Sequence, residues 1–239
     1  MPPENLPAGH RRRLRDLWRS AGWPCRDGVE LDLLAAGLLD RVWDTQGRET
    51  LRLTQAGIQA LAQTRRHHQA ALGSHEALVG RVAREMQRAG RLVWRGLSLR
   101  SPVTSDSGDK GWAMAKPDVF SIRQTTVEDY AEPVSHEIKV TRADLLSDLR
   151  STRKGAAYLA VSSQCWYVLR RGIAQPEELP ACFGVMLADE TGLEVARAAP
   201  RRVARLSFAT WMALARAAAE PAPDDGQALL GESDEPADP

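Results

Sequence analysis

The sequence predicts an α/β protein: a mixed sheet flanked by helices, preceded by a small domain of helices and one hairpin. Three observations carry that expectation. Over residues 74–169 the periodicities run helix, strand, strand, strand, helix, strand; the segment Val134–Thr141 alternates polar and apolar side chains; and residues 10–66 place short helical stripes around a single turn-like segment.

From the N-terminus, Leu14, Leu17 and Trp18 recur at helical spacing between His10 and Gly22, and Leu31, Leu34, Ala35 and Leu38 repeat the habit. Leu39–Trp43 and Thr50–Leu53, on either side of the turn-like Asp44–Arg48, read as a hairpin. Thr54 then caps a helix with the stripe Ile58, Leu61 and Ala62. Arg65–Gly73 is a basic linker or a continuation of that helix. The second part starts with an amphipathic helix over Ser74–Ala89, built on Leu78, Val79, Val82, Ala83 and Met86. Strands are expected at Leu92–Leu99, Lys116–Ile122, Val134–Thr141 and Cys165–Leu169. Between the first two, Ser101–Gly111 reads as a polar, mobile loop near a substrate. Arg142 through Ala157 reads as one helix weakened at Gly155, Phe183–Leu187 and Leu193–Val195 as a closing hairpin, and Phe208–Ala218 as a last helix. The expected domains are 1–70, 71–219 and an acidic disordered tail, 220–239.

Composition narrows the partners. No signal peptide or run of about 20 apolar residues is present, so the expectation is a cytoplasmic protein with no membrane partner. Cys25, Cys165 and Cys182 lack C-x-x-C spacing and are expected to be buried thiols. The net charge of +1 hides an asymmetry: the segment from Glu220 onward holds seven acids and no Lys or Arg, leaving 32 basic against 24 acidic residues in the rest, a body of +8. That excess suits a polyanion such as nucleic acid, and equally a surface of solvated arginines.

The chemistry sits in Lys116-Pro117-Asp118 and His136-Glu137-Ile138-Lys139, of the form P-D-x(18)-E-x-K. Two carboxylates from neighbouring strands suit a hard divalent cation, and an ammonium group beside them suits a phosphate oxygen or an attacking water. Alternation puts Glu137 and Lys139 on one face with Ser135 and Thr141, and His136 on the apolar face as a hydrogen-bonded core histidine. The bland reading of Glu137 and Lys139 is an ion pair on a solvated sheet face. Lys154 and Tyr158, four apart on a helix, share a face and a cleft, and Lys116 and Arg153 join them as candidates to contact DNA. One of Trp166 and Tyr167 is expected in the core, leaving at most one to stack on a base.

These residues resemble the PD-(D/E)XK, or restriction-endonuclease-like, nuclease superfamily over residues 74–188. The phrases H-E-I-K-V-T-R-A-D-L, R-K-G-A-A-Y and W-Y-V-L-R-R-G-I are most similar to the MmcB-like DNA repair group. The resemblance implies a restriction-endonuclease-like fold with Asp118 at the end of the second strand and Glu137 and Lys139 on the third. It implies Mg²⁺, replaceable by Mn²⁺, as cofactor, DNA as substrate, catalytic roles for Asp118, Glu137 and Lys139, and the homodimer that the superfamily often forms. A helix glutamate completes the metal site in many members. Glu76 is either that ligand or a residue favouring the positive end of a helix dipole.

Residues 10–66, with G-L-L-D-R and L-T-Q-A-G around the hairpin, resemble winged-helix regulators. The helix before the wing carries Glu30 and Asp32, which phosphates would repel, so this domain either docks DNA through Arg41, Arg48 and Arg52 or packs against the nuclease core or a protein partner. The sequence thus leads to a metal-dependent DNA nuclease, with a catalytically inactive DNA-binding accessory protein as the rival and RNA as an open alternative substrate.

Overall fold

The computed structural model describes residues 6–20, 22–104 and 110–221, and the chain divides into two compact units, Met1–Gly73 and Ser74–Pro239. In the first unit, α1 (Ala8–Arg19) and α2 (Gly28–Ala35) precede the antiparallel hairpin β1 (Leu39–Trp43) and β2 (Glu49–Leu53). Leu14 and Leu17 of α1 and Leu33 of α2 meet Leu38, Leu39, Leu51 and Ala60 in one core, whereas Trp18, Leu31 and Ala35, expected on the helical stripes, are exposed, so α2 buries a different face from the one its spacing suggests. Asp27 caps α2, its carboxylate accepting from Glu30 N. Glu30 is buried, accepting from Cys25 N, Arg26 N and Arg13. It therefore ties the chain ahead of α2 into place and faces no phosphate, contrary to the sequence expectation, whereas Asp32, the other acid expected to repel phosphates, has a side chain 66% exposed.

Helix α3 is continuous over Gln55–Arg88, so Arg65–Gly73 is helix and not linker. In the second unit, from Ser74, the strands are β3 (Arg91–Arg95), β4 (Leu99–Thr104), β5 (Lys110–Ala115), β6 (Val119–Arg123), β7 (Val134–Lys139), β8 (Gln164–Arg170), β9 (Gly184–Ala188) and β10 (Leu193–Arg197). The helices are α4 (Arg142–Leu149), α5 (Thr152–Val161) and α6 (Phe208–Arg216). Six strands form one mixed sheet in the order β10-β9-β8-β7-β6-β3, with β7, β8 and β9 parallel and the remaining neighbours antiparallel. Helices cover both faces. Leu78, Val79, Val82 and Ala83 of α3 pack on Val93, Val119, Ile138, Val140 and Val168; Leu145, Ala157, Tyr158, Val161 and Leu214 of α4, α5 and α6 pack on Trp94, Phe120, Ile122, Tyr167 and Leu169.

Several boundaries differ from the sequence reading. The first strand stops at Arg95 because the chain turns at Gly96, whose φ of +59° favours glycine. The second begins at Val119, after Pro117, which has no N–H to give a ladder. Asp118 therefore precedes its strand. Most of the expected polar loop is hairpin instead: β4 and β5 pair from Leu99↔Ala115 to Thr104↔Lys110, while 105–109 lie outside the described residues. The helix expected over 142–157 is broken at Arg150–Ser151, whereas Gly155 lies within α5, where the Phe183 ring packs close to its Cα. Cys25 is exposed in the loop before α2 and Cys182 only half-buried, so Cys165 alone is a buried thiol. Of the expected tail, Glu220 is ordered against β3 through Val93 and Arg95, and 222–239 lie outside the described residues. Among the described residues no helix is long and apolar enough to cross a membrane.

His136 is completely buried, as expected, but neither ring nitrogen has a protein partner. Burial and then the charge of Arg91 depress its pKa to about 3, so it is neutral in the fold. As pH falls below 6.5 the unfolded chain takes up a proton that the folded one refuses, and stability present above 6.5 is lost toward pH 3. In urea titrations between pH 6 and pH 4, wild-type protein should lose about 1.4 kcal/mol per pH unit more than His136→Phe. Parallel profiles would show that His136 does not titrate this way.

Candidate active site

Two strands assemble the site. The antiparallel register of β6 on β7, Val119↔His136 and Phe120↔Ser135, carries Asp118 to the position across from Glu137. The Ile138 amide, between Glu137 and Lys139, donates to Asp118 Oδ2 at 2.7 Å. That bond fastens the aspartate to the E-x-K strand. On the other side, β8 runs parallel, setting Tyr167 beside Glu137 and Leu169 beside Lys139.

Glu137 and Lys139 are each only 5% exposed, so the solvated ion pair is ruled out. Their alternation with Ile138 and Val140 is as the sequence predicts, but both faces of β7 are covered. Lys139 Nζ donates to Glu137 Oε1 at 2.8 Å, and Lys154 Nζ reaches the same oxygen at 2.7 Å. Glu137 Oε2 is buried with no hydrogen-bond partner among the protein atoms. The break between α4 and α5 turns Lys154 back so that its ammonium also pairs with Asp148. Asp148 accepts from Tyr167 Oη at 2.8 Å and lies 3.8 Å from Lys139, while Asp144, one helical turn earlier, lies 3.5 Å from Lys139. Tyr158 donates to the Lys116 carbonyl at 2.8 Å, with the Lys154 ammonium 5.4 Å from its ring centroid. Lys154 and Tyr158 thus share one cleft, as their spacing suggests.

The electrostatics follow from burial. Burial, then the charge of Glu137, raises the Asp118 carboxyl above its ordinary value, against the lowering effects of the Ile138 amide, His75 and Lys139. Burial alone would lower both lysines; the charge and hydrogen bond of Glu137, joined by Asp148, outweigh it and hold both above their ordinary values. Both therefore stay charged at neutral pH. Burial and the neighbouring carboxylates push Tyr158 and Tyr167 up as well, which keeps both phenols neutral donors.

The other predicted residues separate. Glu76 has a side chain 62% exposed and lies deep within the 34-residue α3, so it neither joins the carboxylates nor sits at a helix start. Its neighbour His75 is the residue of that helix beside Asp118: Nε2 lies 3.4 Å from Asp118 Oδ2 and Nδ1 lies 3.4 Å from Glu76. Lys116 and Arg153 are exposed, with one Arg153 nitrogen donating to the Trp112 carbonyl at 2.8 Å. In the first unit, Arg41 pairs with Glu49 and Arg48 with Asp44, whereas Arg52 is exposed. Sequence reasoning passed over His75, Asp144 and Asp148, and took Tyr167 for a core or base-stacking candidate and not for a partner of Asp148. The four-residue spacing of Asp144 and Asp148 offered a signal, since it places both on one helix face.

Among the described residues no group of three or more His, Cys, Asp and Glu is arranged to hold a metal ion. Asp118 and Glu137 nevertheless suit a hard cation that keeps much of its water. Glu137 has a buried oxygen without a partner, and the mutual repulsion of the two carboxylates would be relieved by positive charge between them.

No family model matches the chain, and no curated protein matches it. Among solved structures the chain is similar to the SPO1766 protein of unknown function from Silicibacter pomeroyi, with 23% identity, coverage of 57% of this chain and 77% of that one, and a TM-score of 0.38. That likeness is too distant to bear on function.

The Tyr167 hydroxyl adds a neutral hydrogen bond to the Asp148 carboxylate beside the Lys154 ammonium. Tyr167→Phe should lower the unfolding free energy by about 1.5–3 kcal/mol, and the loss should shrink in an Asp148→Asn background. A double-mutant cycle in urea reads the coupling directly, and additive losses would show that the bond contributes nothing.

Proposed function

We propose that this protein is a metal-dependent nuclease of the PD-(D/E)XK type that hydrolyses DNA phosphodiester bonds, in repair or processing of DNA. The observation that carries the reading is the Ile138 amide bond to Asp118, which joins the two halves of P-D-x(18)-E-x-K beside the partnerless Glu137 oxygen. The sequence α3, β3, β6, β7, α4–α5, β8 supports a restriction-endonuclease-like domain, with β4–β5 inserted after the first strand. The first unit, two helices, a hairpin and the start of α3, supports a winged-helix-like domain, and the burial of Glu30 removes one objection to DNA docking there.

In this reading Asp118 and Glu137 hold Mg²⁺ or Mn²⁺. The bound ion would polarise the scissile phosphate and lower the pKa of its water. Lys139 keeps its proton, so it serves as a fixed cation that orients the attacking water or offsets charge on the phosphate, rather than as a general base. Lys154 adds a second ammonium on the same carboxylate, open enough to meet a phosphate oxygen. Tyr158 and Tyr167, held neutral, position Lys116 and Asp148 around it.

Cleavage of single-stranded, nicked and branched DNA with Mg²⁺ or Mn²⁺ tests this. Asp118→Ala, Glu137→Ala and Lys139→Ala should each lose roughly 10²-fold or more in rate, and the triple variant should be hardly slower than the singles, because the groups act as a unit. Variants as active as wild type would end the reading.

One observation favours a second reading, a catalytically silent DNA-binding protein: two ammonium groups already neutralise Glu137 Oε1. Calorimetric titration with Mn²⁺ separates the two. The nuclease shows binding that Asp118→Ala abolishes, and the silent protein shows none.

A further inference from the structure

Beside the carboxylate–lysine cluster, the hairpin β4–β5 lies against α5. Its inward face carries Leu99, Ser101 and Ala115, all fully buried, and its outward face carries Arg100, Pro102, Trp112 and Met114. Two large apolar side chains thus stand in water, Trp112 at 51% and Met114 at 60% exposure. The guanidinium of Arg100 lies over the Trp112 ring, 4.3 Å from its centroid, and Arg153 donates to the Trp112 carbonyl. Trp112, Met114, Ser151, Arg153 and Lys154 line an open groove of about 350 Å³. Its inner wall is Lys154, whose ammonium sits 2.7 Å from Glu137.

We infer that this groove binds an unpaired nucleotide of a DNA strand, its base stacked on Trp112 and its phosphates met by Arg153 and Lys154. This inference rests on the nuclease reading for the identity of the polyanion, and it narrows the substrate to DNA with a single-stranded segment. The composition of the surface argues for it. An exposed indole backed by a guanidinium offers the sequence-tolerant stacking that unpaired bases use, whereas a blunt duplex hides its base faces. Of the residues lining the groove, the cations are Arg153 and Lys154, and Lys154 reaches Glu137. A strand stacked on Trp112 would therefore run its backbone along Arg153 and Lys154 toward the carboxylates. Arg100 and Arg153 hold the indole from its ring and from its backbone, so little side-chain freedom is lost when a base arrives.

The test is direct binding in EDTA, where no cutting occurs, of the full chain to a fluorescein-labelled oligo(dT) of about 20 nucleotides. Wild-type protein should bind it more tightly than a blunt duplex of equal length, with quenching of indole fluorescence. Trp112→Ala should weaken binding about tenfold or more. Trp112→Phe should restore most of it, and Phe208→Ala, which removes another exposed aromatic, should change nothing. Unchanged urea midpoints would show that the variants are folded. Wild-type affinity in Trp112→Ala, preference for the duplex, or tighter binding of oligo(rU) than of oligo(dT) would each overturn the inference. Asp118-dependent cutting of DNA with no effect of Trp112 would overturn it and leave the nuclease reading standing. Oligo(dT) binding through Trp112 with no cutting of any DNA would support it and end the nuclease reading instead.

Discussion

The register of β6 against β7 is the constraint from which the site follows. Antiparallel pairing fixes which residues stand opposite, and a slip of one position would send Asp118 to the other side of the sheet. The Ile138 amide, left without a ladder partner where β6 begins, takes the Asp118 carboxylate instead. One hydrogen bond thus closes the end of the ladder and sets the aspartate beside Glu137. The parallel partner β8 fixes the opposite wall, since Tyr167 must share a face with Glu137 in that register.

Placing carboxylates in a covered sheet face is costly unless they are paired. The chain answers with two lysines from different elements, Lys139 from β7 and Lys154 from α5, each touching Glu137 and each near Asp148. Burial, then the charge of Glu137, holds the Asp118 carboxyl above its ordinary value. Glu137 Oε2, by contrast, is buried with no hydrogen-bond partner among the protein atoms. The lysine geometry is compatible with the nuclease proposed above and with its catalytically silent alternative.

The break between α4 and α5 has effects beyond the cluster. It returns Lys154 to the sheet and leaves Ser151 and Arg153 facing the β4–β5 hairpin. The groove lined by Trp112 and the buried carboxylates are therefore two ends of one structural feature, joined by the Lys154 side chain.

Local chemistry determined much by itself. Alternation along Val134–Lys139 set Glu137 and Lys139 on one face and Ile138 on the other; helical stripes located α1 and the core face of α3, though not the buried face of α2; and the four-residue spacing of Lys154 and Tyr158 put both at one cleft. Such features depend on neighbours a few positions apart. Tertiary structure alone decided the rest. That His75 and not Glu76 faces Asp118, that Asp148 and Tyr167 belong to the cluster, that Glu30 is buried, and that Trp112 stands exposed on a hairpin all depend on partners far along the chain. Periodicity reports which face of an element a residue occupies, whereas only the pairing of elements determines what that face meets.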